Sequence, residues 1–460
     1  MKDIKSLINY QNIHFIGIGG VSMSALAETM HHFGYNVTGS DRVSSDATDK
    51  LMSHNIKIAI GHNLEYVSNA NLVVYTAAIP GDDPELIKAK ELNIPTMERA
   101  DFLGLLTKAF KETICISGTH GKTTTTSMIA TCFINANLEP NVQVGADLGK
   151  LNGNYTIGKS EYFVLEACEY VESFLKFSPK TEVILNIDND HLDYFKNFEN
   201  IKNAFIKYVK LLHEDGFLIL NGDDKNCLDL KEYTNASILT YGLNNLSADF
   251  VAKDIKFDNN GFAEFDVYFK NNFYAHINLS VCGMHNVLNA LACICVCHFY
   301  NLPIDVVKDS LNEFTGAHRR LEFKGKFKNA SVFDDYAHHP TEIKASVNAL
   351  KNKVYNKSWV VFQPHTYSRT KNLLNDFADA LINYDNIIIT DIYAAREKNT
   401  FNISSKDLAD KIASFGKDVK YISSFEDIAI YLKNNVNDND IIVTQGAGPI
   451  YEVGNMLLGL

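Results

Sequence analysis

The nonapeptide Gly118-Thr-His-Gly-Lys-Thr-Thr-Thr-Thr126 constrains the fold more than any other stretch of this chain. It follows the apolar run Glu112-Thr-Ile-Cys-Ile-Ser117 and opens a helical pattern through Asn135, so a strand feeds a helix through a glycine loop. Such a loop cradles phosphate. Glycines let backbone N–H groups approach the oxygens, and the helix N-terminus adds the positive end of its dipole. Gly118, Thr119, His120, Gly121 and Thr124 then line a nucleotide. Lys122 neutralises β- and γ-phosphate charge, and the Thr123 hydroxyl ligates Mg²⁺.

Two further strand-led starts predict an α/β fold with parallel sheets. Ile13-His-Phe-Ile-Gly-Ile-Gly-Gly20 leads into a helical pattern from Ser22 to Phe33, with strands at Tyr35–Gly39 and Leu72–Thr76. Trp359-Val-Val-Phe362 ends in Gln-Pro-His365, and strands follow at Asn386–Thr390 and Asp440–Thr444. Between Ala248 and Leu279, alternating patterns around Asn259-Asn-Gly261 predict antiparallel hairpins, making the middle sheet mixed. Boundaries near Lys108–Lys111 and in Phe314–Arg320 divide the chain into residues 1–108, 109–316 and 317–460. Three domains suit 460 residues at about 150 per domain.

Composition narrows the function. With 46% hydrophobic and 21% charged residues the chain is ordinary globular protein, which excludes disorder, collagen and coiled coil. A net charge of −12 argues against nucleic-acid binding and leaves room for a local basic pocket. No stretch approaches the ~20 apolar residues of a membrane span, and Met1-Lys-Asp-Ile-Lys-Ser lacks the apolar core of a leader, so a cytoplasmic protein without membrane insertion is expected. Leu291-Ala-Cys-Ile-Cys-Val-Cys297 reads as a buried helix with cysteine as a small hydrophobe in a reducing compartment. A metal site there would want C-x-x-C spacing, which is absent.

Two apolar runs after the loop end in acid: Phe163-Val-Leu-Glu-Ala-Cys-Glu169 and Val183-Ile-Leu-Asn-Ile-Asp-Asn-Asp-His191. Strand C-termini converge on the ligand crevice of an open α/β sheet, so Glu166 and His191 are expected to face the Lys122 loop. Glu166 suits Mg²⁺, and His191 suits Mn²⁺ better, although a histidine there also serves as a hydrogen-bonded core or surface residue. Asp188, Asp190 and Asp193 read as loop solvation or outer shell, and Glu169 and Glu172 as surface or helix-start acids. The first glycine of the common phosphate loop would stand at 116, where Ile116 is found; the shortened Gly-x-x-Gly-Lys-Thr-Thr form resembles Mur ligases and folylpolyglutamate synthetases.

The resemblance to the Mur ligase family extends across nearly the whole chain. It is carried by His14-Phe-Ile-Gly-Ile-Gly-Gly-Val-Ser-Met-Ser24, Gly118 to Thr126, Glu166-Ala-Cys-Glu-Tyr170 and Asn186-Ile-Asp-Asn-Asp-His191. Gly283-Met-His-Asn-Val-Leu-Asn289, His318-Arg-Arg320, Asp334-Asp-Tyr-Ala-His-His-Pro340, Gln363-Pro-His-Thr-Tyr-Ser-Arg-Thr370 and Gly446-Ala-Gly448 complete the series. The resemblance implies Rossmann-like N- and C-terminal domains around a central phosphate-loop domain. It implies an ATP-dependent ligase that joins L-alanine to the lactyl carboxylate of UDP-N-acetylmuramate through an acyl phosphate, in peptidoglycan precursor synthesis. ATP with Mg²⁺ or Mn²⁺ is required, and the protein acts as monomer or homodimer.

Residue roles follow the same resemblance. Gly17, Gly19, Gly20, Ser40 and Asp41 hold the sugar nucleotide; glycine spacing alone leaves a dinucleotide open, although Ser22 replaces the third fingerprint glycine. Asn286 and Asn289, on one helical face, match the adenine position, or form a cap and a buried polar pair. Arg320 and Asp335 match the residues that reach ATP, while Arg319 could be a surface charge. Tyr336, His338, His365 and Arg369 match the amino-acid site, with Arg369 forking onto an α-carboxylate; Arg369 could instead be a helix-start surface charge. Cys168, Thr366 and Pro449 depart from the family pattern and are given no role. Rival readings are a recycling ligase of the same fold, a nicotinamide-dependent oxidoreductase using the first glycine turn, and a silent nucleotide-binding protein.

Overall fold

The computed structural model describes residues 4, 8–148, 153–395 and 397–460, with backbone alone for Asp147, Leu148 and Asp193. The chain forms two compact units. One comprises the chain up to Ile187 with Glu199–Tyr241 and Ala292–Val306; the other comprises Asp188–Phe198, Gly242–Leu291 and Val307–Leu460.

In the first unit, β1 (Asn12–Ile16), β2 (Asn36–Asp41), β3 (Lys57–Ile60), β4 (Leu72–Tyr75) and β5 (Thr96–Glu98) make a parallel sheet in the order β3-β2-β1-β4-β5. The chain moves outward from β1 first on one side and then on the other. Its switch point is therefore the C-terminal end of β1, where the turn Gly17–Gly20 enters the helix Val21–His32. The same logic recurs in β6 (Glu112–Ser117), β7 (Asn141–Leu148), β8 (Gly153–Thr156), β9 (Tyr162–Glu166), β10 (Thr181–Ile184), β11 (Phe217–Asn221) and β12 (Ser237–Gly242). These run β12-β11-β10-β6-β9-β7-β8, parallel except for β8. β6 lies between β10 and β9, so the phosphate loop leaves the sheet at its own switch point.

Strand β10 carries one residue that its position does not suit. Glu182 is fully buried, and neither carboxyl oxygen has a hydrogen-bond partner among the described residues. Burial raises its pKa well above the ordinary value. The unfolded carboxyl loses its proton near pH ~4.3 while the folded one keeps it. The unfolded state then binds fewer protons, and stability falls as pH rises above that point. Glu182→Leu is expected to stabilise the protein by about 1–3 kcal/mol and to remove that slope. Thermal unfolding between pH 5 and 9 measures both; a Leu variant with the wild-type slope would contradict the assignment.

In the second unit, β13 (Phe250–Phe257), β14 (Phe262–Phe269) and β15 (Asn272–Cys282) form the expected antiparallel meander. Its first turn is held by Asp258, whose Oδ1 accepts from Asn260 N and Phe262 N, and Gly261 supplies φ +74°. The last sheet is β16 (Glu322–Phe327), β17 (Ala330–Asp335), β18 (Ser358–Phe362), β19 (Asn386–Ile389), β20 (Val419–Tyr421) and β21 (Ile441–Gln445), in the order β16-β17-β21-β18-β19-β20. Only β16 runs antiparallel, and apolar clusters cover both faces. The C-terminal ends of β17, β21 and β18 deliver Asp335, Gln445 and the segment Gln363–His365 to one edge.

The cysteine-rich segment is the buried helix its composition implied, Met284–Phe299. Cys132, Cys293 and Cys297 bring their Sγ atoms within 4.8 Å of one another, close enough to share an ion. Burial pushes the Cys293 and Cys297 thiols well up, so they pack as neutral groups. Among the described residues no helix is long and apolar enough to cross a membrane.

Candidate active site

The first glycine turn is closed by its own second strand. Gly17 N and Ile18 N donate to Ser40 O, and Gly19 N donates to Asp41 Oδ2 at 2.8 Å. A Cβ at position 19 would stand 2.9 Å from that carboxylate, which is why glycine is needed there. Asp41 thus fixes the turn, and the Ser40 hydroxyl donates to Glu85 Oε2 at 2.5 Å. Gly20 caps the helix without a side-chain bond, leaving N–H groups directed at the crevice. At the position of the missing third glycine, Ser22 Oγ accepts from Gln143 Nε2 at 2.6 Å and from Arg99 Nη1 at 3.4 Å. Neither partner stood out in the sequence, because nothing local links residues 22, 99 and 143.

The second turn is built the same way. Gly118 and Gly121 take φ +131° and +86°. Asn186 clamps the loop from the end of β10: it accepts from His120 N at 2.8 Å and donates to His120 O at 3.0 Å. Its backbone carbonyl receives Thr119 N at 3.1 Å. Thr123 Oγ1 donates to Glu166 Oε2 at 2.9 Å, and Gly145 N donates to the same oxygen at 2.9 Å. Two hard oxygen donors, Thr123 and Glu166, therefore lie together at the helix start, a donor set that fits Mg²⁺. Thr124 is buried behind them.

Lys122 does not project freely. Its Nζ donates to Gly118 O at 2.5 Å, Thr119 O at 3.0 Å and Glu169 Oε2 at 2.9 Å. Glu169 is 2% exposed and buried in an ion pair, which corrects its reading as a surface acid. Burial works against the charge on Lys122, and Glu169, with Cys168 and Glu166 adding to it, outweighs burial and holds the ammonium above the usual lysine range. Glu172 is half-buried and pairs with Lys207 at 2.8 Å.

The second unit gathers the residues assigned to the amino acid. Arg369 Nη2 bonds Asp190 Oδ1 at 2.8 Å, and Nη1 lies 2.9 Å from His365 Nδ1. With Arg369 at 11% and Asp190 at 10% exposure, Arg369 is no surface charge and Asp190 is not loop solvation. Burial opposes charge on Asp190, and Arg369 together with His191, His339 and His338 more than offsets it, holding the carboxyl below its usual range. Asp190 Oδ1 also accepts His191 N at 2.7 Å, and His191 itself takes a left-handed backbone at φ +53°. Asp188 accepts from Thr341 Oγ1 at 2.7 Å; the Asp193 side chain lies outside the described residues.

Tyr336, His338 and His365 form a row of edge-on rings with centroids 5.3 and 5.4 Å apart. Burial takes His338 down to about 4 and His365 to about 3, so both are neutral at physiological pH. A guanidinium only donates, so His365 Nδ1 accepts and its proton sits on Nε2. His338 Nδ1 faces Tyr336 O at 3.0 Å, which puts its proton on Nδ1 and leaves Nε2 as an acceptor. Two neutral imidazoles beside an arginine can orient an amino acid's ammonium and carboxylate.

The remaining candidates have inward partners. Arg320 lies 5.1 Å from the Tyr336 ring and 3.9 Å from Glu342. Asp335 is buried, accepting from Ser346 Oγ and from Gln445 Nε2 at 2.9 Å; burial raises its pKa. Asn286 donates to Cys282 O at 2.8 Å and accepts from Asn289 at 3.0 Å, the buried pair of the rival reading. Arg319, read as a surface charge, is instead a clamp. It bonds Asp334 Oδ2 at 2.7 Å, Gly446 O at 2.8 Å and Gly448 O at 3.0 Å.

Comparison with known proteins accounts for the order of these parts. Residues 12–111 match the Mur ligase family catalytic domain, 116–297 the Mur ligase middle domain and 319–448 the Mur ligase glutamate ligase domain. The chain belongs to the Mur ligase family. The UDP-N-acetylmuramate–L-alanine ligase of Acetivibrio thermocellus is 50% identical over 449 residues, 98% of this chain and 96% of that protein. Its namesake in Clostridium novyi is 51% identical over 450 residues, 98% of each. The crystal structure of the UDP-N-acetylmuramate–alanine ligase MurC from Thermotoga maritima matches with a TM-score of 0.82 at 29% identity, over 97% of this chain and 98% of that one. A murein peptide ligase from Psychrobacter arcticus shares the fold, with a TM-score of 0.71 at 24% identity. The expected architecture is borne out: a Mur ligase fold, α/β throughout, with Rossmann-like parallel sheets at both ends of the chain.

Proposed function

We propose that this Mur ligase joins L-alanine to the lactyl carboxylate of UDP-N-acetylmuramate at the expense of ATP, a step of peptidoglycan precursor synthesis in the cytoplasm. The observation that carries this reading is 50–51% identity over 98% of the chain to ligases of that name. Residues 1–108 take the sugar nucleotide, with its diphosphate at Gly17–Gly20; 109–316 take ATP; 317–460 take the amino acid. Thr123 and Glu166, with His191, would hold Mg²⁺, which would supply positive charge to offset that of the phosphates.

In the first step the lactyl carboxylate attacks the γ-phosphorus and ADP leaves, giving an acyl phosphate. Two anions must meet, so Lys122 and Arg320 act by neutralising charge and aligning the γ-phosphate in line. In the second step the alanine amine attacks the acyl carbon, and the tetrahedral intermediate expels phosphate. Arg369 holds the α-carboxylate, while the acceptor nitrogen of His338 orients the amine. No enzyme nucleophile is needed.

Phosphate release from ATP with UDP-N-acetylmuramate and a panel of amino acids tests the reading. L-Alanine should give the highest kcat/KM, and release independent of the amino acid would refute it. Arg369→Lys should raise the KM for L-alanine about tenfold, ~1.4 kcal/mol of binding, because an ammonium cannot reproduce the fork. The KM for ATP should move little. An equal loss for ATP would remove Arg369 from the amino-acid site.

A further inference from the structure

We propose that Glu169 is the resting counter-ion of Lys122, and that nucleotide binding exchanges the pair: the ammonium passes to the phosphates of ATP and the Glu169 carboxylate to Mg²⁺. The inference rests on the phosphate-loop reading above. An ammonium has three donors, and those of Lys122 go to Gly118 O, Thr119 O and Glu169 Oε2. To bond a phosphate oxygen it must release one of them. The two carbonyls belong to the loop that shapes the cradle, whereas Glu169 is the charged competitor for the same cation.

Releasing Glu169 has a consequence. Its side chain is 2% exposed, and a buried carboxylate that loses its cation is strongly disfavoured unless another cation arrives. ATP brings four negative charges and no compensation of its own. The Thr123–Glu166 oxygens lie at the start of the same helix, and Lys122 senses Glu166 as well as Glu169 electrostatically. A divalent cation at Thr123 and Glu166 is therefore the charge that can replace Lys122 on Glu169.

The backbone after Glu169 supports a placed carboxylate. Val171 and Glu172 take left-handed conformations, φ +49° and +55°, and Glu172 N closes onto Glu169 O at 2.9 Å. A β-branched residue there is strained, and such strain persists where the surroundings impose it, most often at functional sites. Phe174, fully buried and stacked on Tyr208 at 4.2 Å, pins the far end of the turn.

The test is calorimetric titration of the full-length chain with ATP alone, with Mg²⁺ or with EDTA, so that no turnover occurs. Wild type should bind metal-free ATP weakly and gain strongly from Mg²⁺. Glu169→Gln removes the competing charge while keeping its size. It should bind metal-free ATP about tenfold tighter than wild type, and the gain from Mg²⁺ should shrink by a similar factor. Glu169→Asp keeps the charge and should keep the metal dependence. A Gln variant with an unchanged Mg²⁺ gain, or with equal losses of affinity in both conditions, overturns the exchange and marks a merely structural pair. Failure of wild type to bind ATP even with Mg²⁺ would sink the phosphate-loop reading, and the exchange with it.

Discussion

Lys122→Ala is expected to lower ATP-dependent ligation about a thousandfold or more, ~4 kcal/mol of transition-state stabilisation. The loop around Lys122 is otherwise glycine, threonine and one histidine, so no second ammonium stands in it to supply the lost charge. The variant also takes the ammonium away from buried Glu169. Removing one partner of a buried pair costs about 3–5 kcal/mol, so Lys122→Ala should unfold at a lower temperature, and lost activity must be separated from lost fold. The double variant Lys122→Ala/Glu169→Gln separates them. It also removes the Glu169 charge, so it should recover most of the stability and none of the activity. Phosphate-release kinetics and thermal unfolding on the three proteins read both quantities. A folded double variant with near-wild-type turnover would show that Lys122 does not act on phosphate.

The two glycine turns were legible because their physics is local. Each is a strand end, a short run of glycine and a helix start, and residues 12–24 and 112–126 contain all three. The strands β1, β6 and β18 are apolar runs buried on both faces, so composition alone marks them. Partners across long gaps were not legible. Glu169 looks like a loop acid until the turn Tyr170–Lys176 folds it under Lys122, 47 residues earlier. Asp190 looks like one of three solvated acids until Arg369, 179 residues later, takes it. A short polar motif offers several acids of equal local merit, and tertiary packing decides which is paired. Arg369 was picked out as functional, yet no local pattern says that it meets Asp190 and His365.

Arg319 is the case where local reasoning passed over a buried clamp, and it carries the other large prediction. In His318-Arg-Arg320 both arginines look alike, but Arg319 turns inward with a left-handed backbone at φ +57°. Its guanidinium ties Asp334 on β17 to the carbonyls of Gly446 and Gly448 after β21, and lies 5.2 and 4.7 Å from the Tyr336 and Tyr451 rings. Asp334 is 3% exposed, and burial raises its pKa against the pull of Arg319. Arg319→Ala leaves that carboxylate with Thr444 Oγ1 and no cation, and should cost about 3–5 kcal/mol. Arg319→Lys keeps a charge but not the fork, so it should lose less, roughly 1–2 kcal/mol. Trp359, the one tryptophan of the chain, sits on β18 in this sheet with its indole N–H on Asp440, so its fluorescence reports the unfolding of this region. A denaturant midpoint by Trp359 fluorescence is the right measure, since a chain of several domains has no single unfolding free energy. Asp334→Asn added to Arg319→Ala should restore part of the loss, because it removes the stranded charge. An Arg319→Ala midpoint equal to wild type would mean that the Gly446–Gly448 turn is held by its own backbone. In that case Gly446, at φ +149° with the backbone of Gln363 2.7 Å from where a Cβ would stand, would bear the constraint instead.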